Sequence, residues 1–466
     1  MNSIALVRLW SLPGLALAIF FVLTGSPTMA ERPNIILIMA DDFGYECVRA
    51  NGGESYATPH LDRLAASGLR FEECHVQPLC TPTRVQLMTG KYNIRNYLNF
   101  GTLLRSEQTF AQLLKQSGYA TGIAGKWQLG REKDSPHHFG FDEACLWQQT
   151  RRPPRYINPG LEYNGVEKDF NQGEYGPDLV NDFALDFIDR HRGEDFFLYY
   201  PMILTHDPFQ PTPDSPDWNP SLKTEREGQS LRHFAEMTSY MDKLLGKLLD
   251  KLDQLKLREQ TLIMFIGDNG THSTVVSQFR GGEYRGGKGK TTRRGTHVPF
   301  IASWPAVIQP GRVSRELISS TDFLPTICQA ASVVIPQGID GVSFLPQLRG
   351  ESGKAREWLY CWYSPRQRLD LTVREYVADH HWKLYRSGEV FHLAEDPFEE
   401  KALALADLNA EGRSAIARLQ GVLDEFREAR PIALDQNFEA AMKAAGGDTQ
   451  PAAPEKKKSK KSKKGR

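Results

Sequence analysis

Several shortages narrow what this chain can be. None of its six cysteines, Cys47, Cys74, Cys80, Cys145, Cys328 and Cys361, forms a C-x-x-C pair, so a zinc ribbon is disfavoured. Net charge is missing too: 57 Lys and Arg stand against 57 Asp and Glu, and no global field draws the chain to nucleic acid or to a membrane surface. Beyond the opening thirty residues no run reaches the ~18 apolar residues of a membrane-spanning helix, so stable membrane insertion is not expected. No internal repeat is visible. What is present is ordinary globular material: 466 residues, 40% hydrophobic, with 24 Phe, 16 Tyr and 8 Trp to bury. That is enough for one large core and a smaller one, and it argues against disorder of the whole chain.

The two ends differ from the middle. Residues 1–30 read as a secretory signal, with Arg8 as the positive start, Leu15 to Leu23 as a short apolar run, and Thr28-Met29-Ala30 as a cleavage site. Pro13 and the Gly-Ser-Pro break argue against a full membrane span. The chain is therefore expected to be exported, periplasmic or secreted, after cleavage near Ala30. Residues 444–466 carry no periodicity, and their final KKKSKKSKKGR holds eight of the 57 basic groups. A disordered basic tail is expected there, leaving a mildly acidic folded part. Six cysteines in an exported chain allow three disulfides, but their wide spacing and the large core make a disulfide scaffold unnecessary.

Between these ends the pattern is α/β. PNIILIMADD reads as a buried strand running into two carboxylates. Strand-like runs recur at 119–125, 196–202, 261–267 and 298–304. Helical patterns fall between them: HLDRLAASG, TFAQLLKQSG, PDLVNDFALDFIDRH and FAEMTSYMDKLLGKLLDKLDQL. Alternation of this kind predicts a large, mostly parallel sheet sandwiched by helices. From about Glu357 short β-type runs follow without long helices, predicting a small antiparallel sheet closed by a helix within 408–428. The expected division is 31–355 for a catalytic domain and 356–443 for an α+β subdomain.

Open α/β sheets bind ligands beyond the carboxyl ends of their strands. Two apolar strands here end in hard oxygen donors, Asp41-Asp42 and Asp268-Asn269. Brought together, these groups would repel unless a cation lay among them, and oxygen donors alone suit Ca²⁺ or Mg²⁺. Taken singly, each pair is as readily a turn or helix cap. In PLCTPTRVQLMTG, Pro82 fits the first turn of a helix, which places Cys80 at a helix N-terminus with Arg84 one turn on. The first reading is a low-pKa nucleophilic thiolate, and the plainer one a buried structural cysteine. A soft thiolate suits a hard cation poorly, however, and an oxygen species at position 80 would fit better.

Cys-Thr-Pro-Thr-Arg resembles the C-x-P-x-R signature of type I sulfatases. PNIILIMADDFG, the LMTG after the cysteine, GKW, THDPF, GDNG, GGKGKTTRRGTHVPF and HLAEDPFEE are similar to that family's segments and keep their order. The resemblance spans about Pro33 to Pro397 and implies an alkaline-phosphatase-like fold and a sulfatase acting on sulfated small molecules or glycans. It implies that a formylglycine-generating enzyme converts Cys80 to formylglycine. One hydroxyl of the hydrate would attack sulfur, and the other would expel sulfate by collapse to the aldehyde. It further implies that Asp41, Asp42, Asp268, Asn269 and residue 80 hold Ca²⁺, with Mg²⁺ second. Arg84 would fix the hydrate and Lys126 would bind sulfate or the nucleophile. Lys288, with Lys290 as a substitute, would bind sulfate oxygens, and His206 would help protonate the leaving oxygen.

One position departs from the family. Two residues after the lysine of GKW, where the family usually has a histidine, stands Gln128, which the resemblance implies would touch substrate or residue 80 but which cannot act as a base near neutral pH. Either another group does that work, with Asp268, neutral Lys126 or water as candidates, or turnover is slow, or the site only binds. Arg293-Arg294 also differ from the usual small or acidic residues. Two other functions stay open: a phosphodiester or phosphonate ester hydrolase, since related metal hydrolases share fold and nucleophile position, and a non-catalytic sulfoglycan-binding relative in which Gln128 marks lost activity.

Overall fold

The computed structural model describes residues 32–444 apart from 223 and 225. The expected leader and the basic tail beyond Ala444 lie outside the described residues. Strands fall in the order β1 (Asn34–Ala40), β2 (Leu69–His75), β3 (Ala120–Lys126), β4 (Glu143–Trp147), β5 (Gly160–Tyr163), β6 (Val166–Asp169), β7 (Phe196–Pro201) and β8 (Thr261–Gly267). They continue as β9 (Val276–Phe279), β10 (Gly282–Arg285), β11 (Phe300–Ser303), β12 (Arg312–Ser319), β13 (Leu359–Tyr363), β14 (Arg374–Ala378), β15 (Trp382–Tyr385) and β16 (Val390–His392). Ten of them form one sheet in the order β12-β2-β11-β8-β1-β7-β3-β4-β5-β6.

Strand β1 sits in the middle because every residue of NIILIMA can be buried. Side chains alternate along a strand, so Ile35, Leu37 and Met39 enter one core and Ile36, Ile38 and Ala40 the other. Each large apolar side chain so buried contributes roughly 1.5–3 kcal/mol. The first core is covered by the helices Cys80–Thr89, Phe110–Gln116 and Phe323–Ala330. The second is covered by Pro59–Ala66, Gly176–Arg190 and His233–Gln254. This is the sandwiched α/β sheet expected from the alternation.

The run β8-β1-β7-β3-β4 is parallel throughout. Its five strands therefore deliver their carboxyl ends to one edge, where the site lies. The run 298–304 does form a strand, β11, but it pairs antiparallel with both β8 and β2. Strands β2 and β12 and the short β4, β5, β6, β9 and β10 were not expected. Several are too short or too polar to carry a period: β6, VEKD, is exposed at all four positions.

A second, antiparallel sheet runs β13-β14-β15-β16. The expected closing helix is Ala410–Glu425, and its Leu419, Val422 and Leu423 join Tyr360, Trp362 and Val377 in the first core. A further helix, Ile432–Ala444, buries only Leu434 and Phe438 and gave no clear signal in the sequence. All six cysteines are buried and unpaired. Among the described residues no helix is long and apolar enough to cross a membrane.

Candidate active site

Three parallel strands place the charged residues. Asp41 and Asp42 follow β1, Asp268 and Asn269 follow β8, and Lys126 closes β3. Asp42 has a left-handed backbone, φ 61°, which turns its N–H onto Asp268 Oδ1 at 3.0 Å. Asn269 Nδ2 donates to Asp42 Oδ1 at 2.9 Å. Thr271 Oγ1 accepts from Gly44 N at 3.0 Å and donates to Glu46, tying together the loops that carry the two acidic pairs. Asp41, Asp42, Asp268 and Asn269 are fully buried.

Cations surround these carboxylates. Lys126 Nζ donates to both oxygens of Asp41 at 2.9 and 3.0 Å. Arg155 reaches Asp41 Oδ2 at 2.9 Å while its guanidinium lies 3.9 Å from the centre of the Trp147 ring. Arg84 donates to Asp268 Oδ2 and to the Lys126 carbonyl, each at 3.0 Å. Lys288 Nζ lies 2.5 Å from Asp42 Oδ2. The repulsion foreseen among the carboxylates is thus offset by the chain's own side chains. Four cations against three carboxylates leave the cluster formally positive, which suits an anionic substrate.

The charges set the titration of each group. Burial alone would raise Asp41, but Lys126, His206 and Arg155 outweigh it and hold the carboxyl well below the usual range. Asp42 is also lowered, with Lys288 as the chief cation working against burial. Asp268 is pushed up to about 7 by burial and by the charge of Asp41, against Arg84 and Lys126. Burial likewise brings His206 down to about 4, with Arg155 and Lys288 adding to the drop. Its Nδ1 is 2.6 Å from the Asp207 carbonyl, which can only accept, so Nδ1 carries the proton and Nε2 of the neutral ring is an acceptor. That Nε2 stands 3.8 Å from Asp42 Oδ2.

Cys80 is the first residue of the helix Cys80–Thr89, after an extended Leu79. It is 2% exposed, and burial pushes its thiol up despite Lys126 and Lys288 nearby. The thiolate reading is therefore corrected: the helix terminus and the neighbouring cations do not overcome desolvation. Cys80 Sγ donates to Gln128 Oε1 at 2.9 Å, and Thr81 Oγ1 donates to the same oxygen at 3.1 Å. Arg84 does not lean back onto the sulfur; its hydrogen bonds go to Asp268 and Lys126.

The oxygen donors fit a hard divalent cation. Asn269 Oδ1 is buried with no hydrogen-bond partner, which is costly unless something accepts its lone pairs. Ligand atoms of Asp41, Cys80 and Asp268 lie within 4.8 Å of one another, as do those of Asp41, Asp42 and His206. A cation there would also lower the raised carboxyl of Asp268.

The structure thus brings together Asp41, Asp42, Cys80, Arg84, Lys126, Gln128, His206, Asp268, Asn269 and Lys288. Lys290 stands apart: it is exposed and makes no ion pair among the described residues. Arg293 is spent on Glu73 at 2.9 and 3.0 Å, and Arg294 lies over Phe398 at 3.9 Å. Sequence reasoning missed Arg155, which arrives from the proline-rich loop RRPPRY after β4 with no periodicity to mark it.

Comparison with known proteins agrees with this geometry. The family model described as Sulfatase matches residues 33–333, and that described as N-sulphoglucosamine sulphohydrolase, C-terminal, matches 291–428. Human N-acetylgalactosamine-6-sulfatase is 31% identical over 87% of this chain and 87% of its own length. Human arylsulfatase A is 33% identical over 74% of this chain and 73% of its own. The solved structure of Ps i-CgsB shares the fold, with a TM-score of 0.73 at 24% identity, covering 86% of this chain and 94% of that one.

Proposed function

The chain belongs to the sulfatase family and is a sulfuric ester hydrolase, and from that premise we propose that it is an exported, calcium-dependent enzyme using formylglycine at position 80 on sulfated carbohydrates. The observation that carries this reading is the convergence of Cys80 with an all-oxygen donor set and two lysines at the carboxyl edge of the parallel sheet. Asp41, Asp42, Asp268 and Asn269 would hold Ca²⁺, with Mg²⁺ as the second choice. When bound, the cation draws charge from sulfate and lowers the pKa of a coordinated hydroxyl. A formylglycine hydrate supplies an oxygen nucleophile whose second hydroxyl allows sulfate to leave without water attacking sulfur.

The chain's own residues do the rest. Arg84 and Arg155 fix Asp268 and Asp41 by charge-assisted bonds. Lys126 and Lys288 can turn from their carboxylates to sulfate oxygens and offset charge there. His206 is neutral alone, and an anion beside it favours the imidazolium able to protonate the leaving oxygen. Gln128 orients the group at position 80 by accepting its hydrogen bond but takes no proton. The residues 31–355 would carry the chemistry and 356–443 a second lobe. The human relative named N-acetylgalactosamine-6-sulfatase supports a sugar sulfate as substrate.

Matched aryl and sugar sulfates, phosphate diesters and phosphonate esters test the reaction. Sulfate esters should be favoured in kcat/KM by about a hundred-fold or more; a preference for phosphorus esters would overturn the reading. Binding of sulfated sugars without any sulfate release would favour the non-catalytic alternative, against which the complete set of Arg84, Lys126 and His206 counts. A second prediction concerns the departure at Gln128. Restoring a base with Gln128→His should raise kcat by about ten- to a hundred-fold and add a pH dependence in the imidazole range. An unchanged rate would show that proton removal does not limit turnover.

A further inference from the structure

A cavity of about 670 Å³ reaches Gln128, the neighbour of residue 80, and is in the size range of sites that hold small molecules. Its wall nearest the chemistry is Gln128, whose Oε1 already holds Cys80. Residues 99–104 also line it and are tied to the same helix by the bond from Gly101 N to Thr81 Oγ1 at 3.2 Å. The sequence builds this cavity in a simple way. Just past the adjacent parallel strands β3 and β4 stand glutamines, Gln128 after Trp127 and Gln148 at once, with left-handed φ of 58° and 62°. Gln128 N donates to the Gln148 carbonyl at 3.3 Å, so the two chains leave the sheet side by side. They then deliver LGREK and QQTRRP to one rim.

Those segments and the 99–105 loop place Arg105, Arg131, Arg151 and Arg152 around the cavity, against one lining acid, Glu132. Asp134 engages Arg105 at 3.1 and 2.8 Å. Asp169 and Glu167 engage Arg151 at 2.5 and 3.1 Å. Arg131 and Arg152 are exposed and make no ion pair or hydrogen bond through their side chains among the described residues. The four arginines are matched in number by Glu132, Asp134, Glu167 and Asp169, but the ion pairs engage only Arg105 and Arg151. Arg131 and Arg152 keep their guanidinium groups available at the rim for a ligand. Guanidinium groups match the paired oxygens of a sulfate or a carboxylate.

We propose that this cavity takes the sugar next to the scissile sulfate and that Arg131 and Arg152 recognise a second anionic group on it, a further sulfate or a uronate carboxylate. The inference rests on the sulfatase reading above and deepens it, from any sulfated carbohydrate to one carrying at least two negative groups.

The test compares three disaccharides of one linkage: a neutral monosulfate, a disulfate, and a monosulfate containing a uronate. In the unaltered protein the two doubly charged compounds should be favoured in kcat/KM. The double variant Arg131→Ala/Arg152→Ala should lose that preference by about ten-fold, mainly through KM. Loss for the disulfate alone identifies sulfate as the group read, loss for the uronate alone identifies the carboxylate, and loss for both identifies a shared anion site. The pair Arg131→Lys/Arg152→Lys keeps the charge and should retain part of the preference, which separates recognition from damage to the fold. An equal preference before and after the alanine substitutions overturns the proposal. If the unaltered protein hydrolyses no sulfate ester, the sulfatase reading fails separately. Calorimetric binding of the disulfate and the neutral monosulfate still reads the cavity: equal affinities at about 0.05 M and 0.3 M salt overturn the inference, and a salt-sensitive excess for the disulfate supports it.

Discussion

Cys80→Ser should end turnover after no more than one event per site, with a steady-state rate lower by about 10⁴-fold or more. The serine variant puts one oxygen at the first residue of the same helix, held by Gln128 in the same way. A single hydroxyl can attack sulfur but has no second hydroxyl with which to release sulfate. The expected product is a serine sulfate ester heavier by about 80 Da, the mass of the SO3 added when a sulfo group replaces the hydroxyl hydrogen and the alcohol leaves. The native thiol offers no better route, since burial pushes it up and leaves it protonated near neutral pH. Continuous turnover by the serine variant would contradict the requirement for a doubly hydroxylated carbon. Protein mass before and after incubation with an aryl sulfate, together with steady-state kinetics, checks it.

Asp268→Asn is expected to lose both metal and activity, the latter by about 10³-fold. The substitution keeps the shape of a group at the end of β8 but removes a charge from the oxygen set. It also separates a pair, Asp268 and Arg84, in which both side chains are wholly buried. Leaving one partner of such a pair uncompensated costs about 3–5 kcal/mol, so a lower Tm is expected as well. The two effects are separable. Added Ca²⁺ should raise the Tm of the unaltered protein by mass action and leave that of the variant unmoved. Metal content by mass spectrometry and kcat/KM, measured where both proteins are folded, should fall together. A variant that keeps its metal and its rate would remove Asp268 from the cation site.

The parts of the site legible in the sequence are those with a strong local pattern. Asp41-Asp42 and Asp268-Asn269 could be picked out because each follows an unbroken apolar strand, and an α/β sheet places such residues on one edge. Arg155 was not legible, because its place depends on a proline-rich loop folding back to Asp41. Nor could local spacing show the state of Cys80: the helix terminus and Arg84 favour a thiolate, and only the folded surroundings reveal that desolvation wins. The choice between Lys288 and Lys290 likewise rested on resemblance, and in the fold only Lys288 reaches Asp42. For the fold, the central strands were legible as unbroken apolar runs and the long amphipathic helices as clear periods. Strands such as β6 and β10, four residues long and largely exposed, take their conformation from their neighbours and left no mark of their own.

The claim on which the mechanism turns is the chemical state of position 80. It is tested most directly by the mass of the peptide containing that residue, taken from active protein made in cells. Conversion of the thiol to the aldehyde predicts a peptide lighter by about 18 Da than the encoded one. A fully active preparation whose peptide carries the encoded cysteine unchanged would contradict the account.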